Sequence, residues 1–303
     1  MVRGALGAGF RVIGVDRPRG GSKKGVYRVR LDRSDPPSVI VYRWADEENF
    51  WPESVDDDGT GPFAPASGLA PFLAARRRLD EVGARVPRLL WADGVRERYA
   101  VVEDTPGGTL ETLFATDPGR TDAALADLAR TLGLMQRHRA PRYGRVDVLE
   151  RGGTAAGSSC EQLVLDRARR DLEEAAGRDT RIKAMRGRLD ERLRELRALV
   201  APRTEYGLIH GELGPDHVLV SAEGHAVLID IEGLMYFDVG WEVHGRDRRA
   251  QPAGGARPAS VGPGLTDGAR SCPGCGAAPG RGRRPGPRPA GTWRRSGSPA
   301  GRH

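Results

Sequence analysis

Residues 206–241 read YGLIHGELGPDHVLVSAEGHAVLIDIEGLMYFDVGW, and this stretch decides the fold of the chain. It holds two short apolar runs, 218–220 and 226–229, which are joined by the turn sequence Ser-Ala-Glu-Gly. Apolar runs on either side of a short polar turn with a glycine predict an antiparallel β-hairpin. We therefore expect a hairpin with polar residues on both sides of its open end.

Those polar residues have side chains of the types that act as bases or metal ligands in catalysis. Glu212 and His217 precede the first run, and Asp230 and Glu232 follow the second. An antiparallel hairpin brings Glu212, His217 and Asp230 to one end, where a base and two metal ligands can converge. Taken alone, each acid is better explained as a solvated turn residue, and His210 and His217 are each better explained as hydrogen-bonded structural histidines. The prediction depends on the whole pattern and its spacing.

The pattern HGELGPDH, followed by a strand and then ID, resembles the aminoglycoside phosphotransferase and choline kinase family, relatives of the protein kinases, in which it reads H-G-D-x-x-x-x-N. The resemblance implies a two-lobed α+β fold like that of protein kinases. It also implies ATP and Mg²⁺ as cofactors and phosphoryl transfer to a hydroxyl of a small molecule.

By this resemblance Glu212 takes the place of the catalytic aspartate, His217 that of the metal-binding asparagine, and Asp230 that of the aspartate that holds magnesium. Two of these three residues depart from the family pattern. Glutamate is still a carboxylate and can orient or deprotonate a hydroxyl. An imidazole is a poor ligand for magnesium, because this hard ion prefers oxygen.

Five strand-like runs predict a five-stranded antiparallel sheet as the first lobe, residues 1–104. A glycine-rich turn joins the first two runs, 12–15 and 26–31, and resembles the turn that covers the ATP phosphates in the family. Its glycines permit close backbone approach, and its other side chains offer donors and positive charge. An ordinary hairpin with a basic tip is the alternative. The nucleotide-binding residues expected here are Gly21, Ser22, Lys23 and Lys24.

The third run alternates so that Arg43 shares a face with Val39 and Val41, which we expect to be the inner face of the sheet. By resemblance Arg43 takes the place of the lysine that grips the nucleotide phosphates, and a guanidinium suits phosphate well. The following helix has no evident glutamate to pair with it. Either the acidic loop 46–58 or the acids at positions 80 and 81 supply the counter-charge, or the ion pair is lost.

The fifth run ends in VVEDTPGG, residues 101–108, which is similar to the hinge of the family. There, backbone groups near Glu103 and Asp104 would hold adenine, although a plain linker would have the same composition. Asp238, after the hairpin, resembles a structural aspartate that hydrogen-bonds the catalytic loop, with a surface turn residue as the alternative.

Helical periodicity dominates the second lobe, residues 105–244. Apolar residues recur there at three- and four-residue spacing in three segments. We expect Thr121 to cap the first helix and all three helices to present core stripes. The stripe of the third is Leu189, Leu193, Leu196 and Val200.

The basic character of the chain belongs to its last residues. The net charge is +7, and residues 245–303 contain twelve arginines and two acids, a net charge of +10, so the preceding residues carry −3. Glycine, proline, alanine and arginine fill most of this tail, which predicts a disordered segment. One hypothesis is a frameshift in a GC-rich gene, which translation of the other frames would test. The alternative is a basic arm for nucleic acid or an acidic partner.

Cysteine content and apolar runs exclude other classes of protein. The three cysteines, Cys160, Cys272 and Cys275, are too few for a disulfide-built secreted domain, and CPGC lacks the further ligands of a zinc site. The N-terminus is a weak signal-peptide candidate, and no apolar run reaches the roughly 18 residues of a membrane span. We expect a cytoplasmic phosphotransferase for an aminoglycoside-like or other small alcohol. The alternative is a catalytically silent, nucleotide-binding pseudokinase or a truncated remnant.

Overall fold

The computed structural model describes residues 2–7, 9–18, 23–50, 61–96, 98–155, 157 and 159–242. Several sequence-based predictions concern positions outside these ranges. They include the tail, 245–303, and the two phosphate-loop residues Gly21 and Ser22.

The first part of the chain forms a five-stranded antiparallel sheet with the strand order β1-β2-β3-β5-β4, as the sequence predicts. A short helix precedes the sheet, and a longer one connects β3 to β4. The bounds are α1 Val2–Leu6, β1 Val12–Asp16, β2 Gly25–Leu31, β3 Ser38–Arg43, α2 Leu69–Glu81, β4 Leu89–Ala92 and β5 Tyr99–Glu103.

The two faces of this sheet pack against different partners. Val39 and Val41 belong to a small cluster that also includes Leu6 of α1. Tyr42 lies on the opposite face and packs against Phe72 of α2, with the two ring centroids 5.6 Å apart. The face of Tyr42, rather than that of Val41, therefore joins the main core of the molecule.

The second part is mainly helical and contains the predicted hairpin, in which Ala226 pairs with Val220 and Leu228 with Val218. A small sheet with the order β6-β8-β11-β7 lies beside it. The bounds are α3 Leu110–Thr116, α4 Pro118–Arg137, β6 Arg139–Ala140, β7 Gly144–Arg145, α5 Val146–Glu150, α6 Cys160–Arg178, α7 Thr180–Leu199, β8 Tyr206–Ile209, β9 Val218–Val220, β10 Ala226–Leu228 and β11 Met235–Phe237.

Helix α4 begins earlier than the sequence predicts. Its N-cap is Asp117, whose Oδ1 accepts a hydrogen bond from the backbone N–H of Arg120 at 3.0 Å. Pro118 occupies the first turn, where its fixed φ favours helix and its missing N–H has no cost. Thr121 is buried within the helix, so the prediction that it caps α4 was wrong.

Helix α7 is more exposed than the sequence predicts. It packs mainly against α6, and none of its residues is buried. The side chain of Leu196 is 45% exposed. The expected stripe along this helix is therefore not a core stripe, because α7 packs mainly against α6 and not against the main core.

The β9–β10 hairpin contacts the first part of the chain through backbone hydrogen bonds. Leu228 N–H donates to Arg85 O at 2.9 Å, and Val220 N–H donates to Gly108 O at 3.0 Å. These bonds fix the hairpin against the α2–β4 loop and the segment that follows β5. Among the helices in the described ranges, none combines the length and the apolar character that crossing a membrane requires.

Candidate functional site

The loop before β9 is held by a buried glutamate near the end of the described chain. Oε2 of Glu242 accepts hydrogen bonds from the backbone N–H groups of His210 at 2.5 Å and Gly211 at 3.3 Å. The sequence had suggested Asp238 for this task. Asp238 instead pairs with Arg203 at 2.8 Å. The sequence does contain a signal for this role, because Glu242 is a second acid one helical turn after Asp238.

His217 connects the two acids of the site. Its Nδ1–H donates to the backbone carbonyl oxygen of Glu212 at 2.7 Å. Its Nε2 lies 3.4 Å from a carboxylate oxygen of Asp216 and 3.5 Å from one of Asp230. The hairpin thus brings Glu212, His217 and Asp230 to one end, as its antiparallel geometry predicts.

Asp230 has a left-handed backbone conformation, with φ 58° and ψ 46°. It is the one non-glycine residue with a positive φ in the described part of the chain. This conformation is uncommon outside glycine, although Asp tolerates it better than most residues. The backbone reverses direction here, directly after β10, and the carboxylate is directed toward β2.

Lys24, which directly precedes β2, contacts this carboxylate. Its Nζ lies 2.7 Å from Oδ1 of Asp230 and 2.5 Å from Oε1 of Glu232, and its side chain is buried. Burial alone would lower the pKa of the Lys24 ammonium, but the charges of Glu232 and Asp230 outweigh it and raise this pKa. Conversely, the ammonium outweighs the burial of Asp230 and holds the pKa of that carboxyl below its ordinary value.

Lys23 makes the equivalent contact with the other acid. Its Nζ donates to both carboxylate oxygens of Glu212, at 3.0 and 2.9 Å. The backbone carbonyl of Lys23 also accepts a hydrogen bond from the hydroxyl of Ser67 at 3.0 Å. Two adjacent lysines of the predicted phosphate loop therefore bind the two acids of the hairpin.

Glu232 is a buried acid of the site to which the sequence alone gave no role. Its Oε1 accepts from Lys24 and from the indole N–H of Trp44 at 3.2 Å. Its Oε2 is buried and has no hydrogen-bond partner among the described residues. A buried carboxylate oxygen without a partner is costly, which indicates a place for a cationic or donor ligand.

Arg43 lies elsewhere. Side chains alternate along a strand, so Arg43 lies on the face of the sheet opposite to Tyr42, and the Lys24 ammonium is 5.0 Å from the Tyr42 ring. The face of the sheet that carries Arg43, which we expected to be the inner face, is therefore its outer face. Arg43 pairs with Glu47 and, at 2.9 Å, with Glu48. The prediction that the acidic loop supplies its counter-charge is confirmed, and a role toward phosphate stays a prediction.

The hinge acids differ from each other. Glu103 is exposed at the end of β5. The Asp104 carboxylate is largely buried and accepts from Arg28 at 2.7 Å and from the hydroxyl of Ser38 at 2.6 Å. Asp104 therefore ties the hinge to β2 and β3, and only its backbone groups are suited to contact a base.

The space between the sheet and the hairpin is narrow. A cavity of only about 10 Å³ lies there, lined by residues that include Tyr42, Val102, Leu228 and Asp230. Sites for drug-sized ligands typically measure about 300–1,000 Å³. The cleft is thus nearly closed beside Asp230.

The carboxylates around Asp230 offer part of the ligand set that Mg²⁺ needs. No three His, Cys, Asp or Glu side chains in the described ranges are grouped as a metal site. Two carboxylates do converge on one point, because the Lys24 ammonium contacts both Asp230 and Glu232. Two carboxylates plus phosphate oxygens and water suit Mg²⁺. His217 does not fit as a ligand, since Nδ1 is engaged and nitrogen is disfavoured.

Comparison with known proteins gives a consistent result. The family described as "Phosphotransferase enzyme family" matches residues 25–244. No curated protein matches the chain. Among solved structures, a thermostable mutant of aminoglycoside phosphotransferase APH(4)-Ia, in ternary complex with ADP and hygromycin B, is 14% identical. It covers 77% of this chain and 71% of that chain, with a TM-score of 0.51.

A second solved structure is spectinomycin phosphotransferase APH(9)-Ia in complex with ADP and spectinomycin. It is 12% identical and covers 78% of this chain and 68% of that chain, with a TM-score of 0.51. At these identities the likeness concerns the fold, and it confirms the predicted two-lobed, kinase-like α+β architecture.

Proposed function

Because this chain belongs to the phosphotransferase enzyme family, we propose that it transfers the γ-phosphoryl group of ATP to a hydroxyl of a small molecule. The observation that carries the proposal is the convergence of Glu212 and Asp230 with Lys23 and Lys24 in one cleft. Positive groups beside two acids suit a reaction in which charged phosphate is positioned and its charge stabilised.

Glu212 is the group that orients the acceptor hydroxyl and takes its proton. Its carboxylate is 41% exposed, so an acceptor can reach it once Lys23 withdraws. His217 holds the backbone of Glu212 through its carbonyl and fixes the position of this acid. General-base catalysis of this kind contributes about 10²–10⁴-fold to a rate.

Lys24, and Lys23 beside it, contact the phosphates of the nucleotide, together with the predicted loop residues Gly21 and Ser22. Backbone groups near Glu103 and Asp104 hold the adenine. Asp230 and Glu232 would hold Mg²⁺, which neutralises phosphate charge and orients the transferred group when bound.

The acceptor is an alcohol of modest size. The two solved relatives hold hygromycin B and spectinomycin. An aminoglycoside-like polyol is therefore the first acceptor class to test, and other small amino alcohols and sugars follow.

Two experiments test the proposal. Melting temperature is measured first, with and without ATP and MgCl₂; saturation at 100 times the dissociation constant should stabilise the fold by about 2.7 kcal/mol. Phosphoryl transfer is then assayed against a panel of acceptors, with the variant Asp230→Ala beside Asp122→Ala, which changes an exposed acid of α4. Transfer should vanish in the first variant and persist in the second. Equal rates in both would refute the role of Asp230.

A nucleotide-binding protein without transferase activity is the second candidate. It is favoured by His217 in place of a metal-binding asparagine and by the lysines on both acids. Stabilisation by nucleotide with no transfer to any acceptor would support it.

A further inference from the structure

Two neighbouring side chains of the predicted phosphate loop pair with the acids of the cleft. Lys23 binds Glu212 with both carboxylate oxygens within 3.0 Å, and Lys24 bridges Asp230 and Glu232 at 2.7 and 2.5 Å. Every acid that the proposed function uses is therefore already paired with an ammonium.

The Lys24 ammonium occupies a position suited to a cation of higher charge. A single positive charge faces two carboxylates, and Glu232 is only 5% exposed. Its Oε2 remains without a hydrogen-bond partner among the described residues. One ammonium thus leaves part of this acid pair unsatisfied, and a divalent cation with its water would satisfy more of it.

The same contacts keep the cleft narrow. The cavity of about 10 Å³ beside Asp230 is lined on one side by Tyr42 of the sheet and on the other by Leu228 of the hairpin. Lys24 connects these two sides at the edge of the cavity. A nucleotide that places its phosphates beside Asp230 would require these ion pairs to separate.

We propose that Lys23 and Lys24 form a latch, which makes the site bind nucleotide before the metal and the acceptor. The latch works through an exchange of counter-ions. Without nucleotide, the two ammonium groups close the cleft and block both acids. When nucleotide enters, its phosphates replace the carboxylates as partners of the ammonium groups. This exchange frees Asp230 and Glu232 for the metal and Glu212 for the acceptor hydroxyl.

The inference rests on the proposed function for the identity of the nucleotide, but the latch itself can be tested without catalysis. The probe is Mn²⁺ alone, a metal that accepts the same oxygen ligands as Mg²⁺. Its binding to the full chain is followed through the electron paramagnetic resonance signal of the free ion. Lys24→Met removes the ammonium and keeps an apolar side chain of similar length.

Lys183→Met is the matched control, because Lys183 is exposed on α7 and is the one lysine outside the latch. Removing a charge that lies between two acids should tighten Mn²⁺ binding at least about tenfold, given the size of interactions between partly buried charges. The control should bind Mn²⁺ as the wild type does. Equal affinity in all three proteins would overturn the proposal.

Lys24→Met leaves two buried acids without a counter-charge and can fail to fold. In that case Lys24→Met is combined with Glu232→Gln, which restores the net charge of the cluster. This double variant should bind Mn²⁺ more tightly than Glu232→Gln alone. Equal or weaker binding by the double variant would refute the latch.

A second readout uses the three lysines of the chain, Lys23, Lys24 and Lys183. In protein labelled with ¹⁵N-lysine, ADP should shift the two latch signals and leave that of Lys183 in place. Unshifted latch signals in a protein that binds ADP by calorimetry would overturn the latch while leaving the proposed function intact. Tighter Mn²⁺ binding by Lys24→Met in a protein that does not bind ADP would support the block of the metal acids by Lys24, but would overturn its release by nucleotide and contradict the proposed function.

Discussion

Asp127 of α4 is predicted to be the acid whose loss most weakens the support of the hairpin. The carboxylate is buried, and its Oδ2 accepts a hydrogen bond from the backbone N–H of Ala226, the first residue of β10, at 2.9 Å. The same group pairs with Arg85 at 3.1 Å and with Arg130 at 2.8 Å. It therefore joins a helix, a strand and the α2–β4 loop. Strand β10 leads directly to Asp230.

The free energy of unfolding lost in Asp127→Ala follows from these contacts. A hydrogen bond to a charged group contributes about 1.5–3 kcal/mol, and the buried Ala226 N–H would be left without its partner. The two arginine side chains are 48% and 68% exposed, so their ion pairs add at most about 1 kcal/mol. We expect a loss of about 3 kcal/mol, which lowers the melting temperature by about 6–12 °C in a domain of this size.

Urea unfolding and thermal melting measure this loss, with two variants for comparison. Asp127→Asn keeps an oxygen that can accept from Ala226 and should cost only about 1 kcal/mol. Asp122→Ala removes an exposed acid from the same helix and should change stability by less than about 0.5 kcal/mol. If Asp127→Ala costs no more than Asp122→Ala, the carboxylate does not support the hairpin and the reasoning is wrong.

Three further predictions concern single residues. Gly107→Ala should abolish or severely weaken folding, since a Cβ there would lie 1.6 Å from a backbone oxygen of β9. Gly187→Ala, at a mid-helix position with open space around it, should instead stabilise the fold by about 0.5–1 kcal/mol. Equal melting temperatures of the two variants would contradict this prediction. Hydrogen bonds from Arg181 lower the pKa of the helix cap Asp179 from 3.8 to about 2. The contribution of Asp179 to stability is therefore complete above pH 3.8 and is lost as the pH falls through about 2. The melting temperature of the wild type minus that of Asp179→Asn should shrink across this range. A difference that does not change with pH would contradict this prediction. His217→Asn should raise the Mg²⁺-dependent transfer rate severalfold, because an amide oxygen suits this ion better than imidazole; a lower rate would show that the imidazole is itself needed.

The sequence predicted the hairpin and its acids because their signals are local. Two apolar runs and a glycine turn specify the pairing of Val218–Val220 with Ala226–Leu228, and this pairing places Glu212, His217 and Asp230 at one end. The five-strand sheet was predictable for the same reason, since each strand is an apolar or alternating run bounded by turn residues.

Contacts between residues distant in sequence could not be predicted in this way. Lys23 and Glu212 are 189 residues apart, and Lys24 and Asp230 are 206 apart. Alternation along β3 showed which residues share a face with Arg43, but it did not show which face the helix α2 covers. Packing of Tyr42 against Phe72 decides that question.

The backbone bonds from Leu228 to Arg85 and from Val220 to Gly108 have a mechanical consequence. Leu228 joins the hairpin to the α2–β4 loop, and Val220 joins it to the segment that follows β5. An opening of the cleft that keeps both bonds would therefore move the loop around Lys24 relative to Asp230. We expect the amide protons of Leu228 and Val220 to exchange slowly with deuterium in every state of the cleft, whereas amides of the loop around Lys24 change their exchange rate with nucleotide.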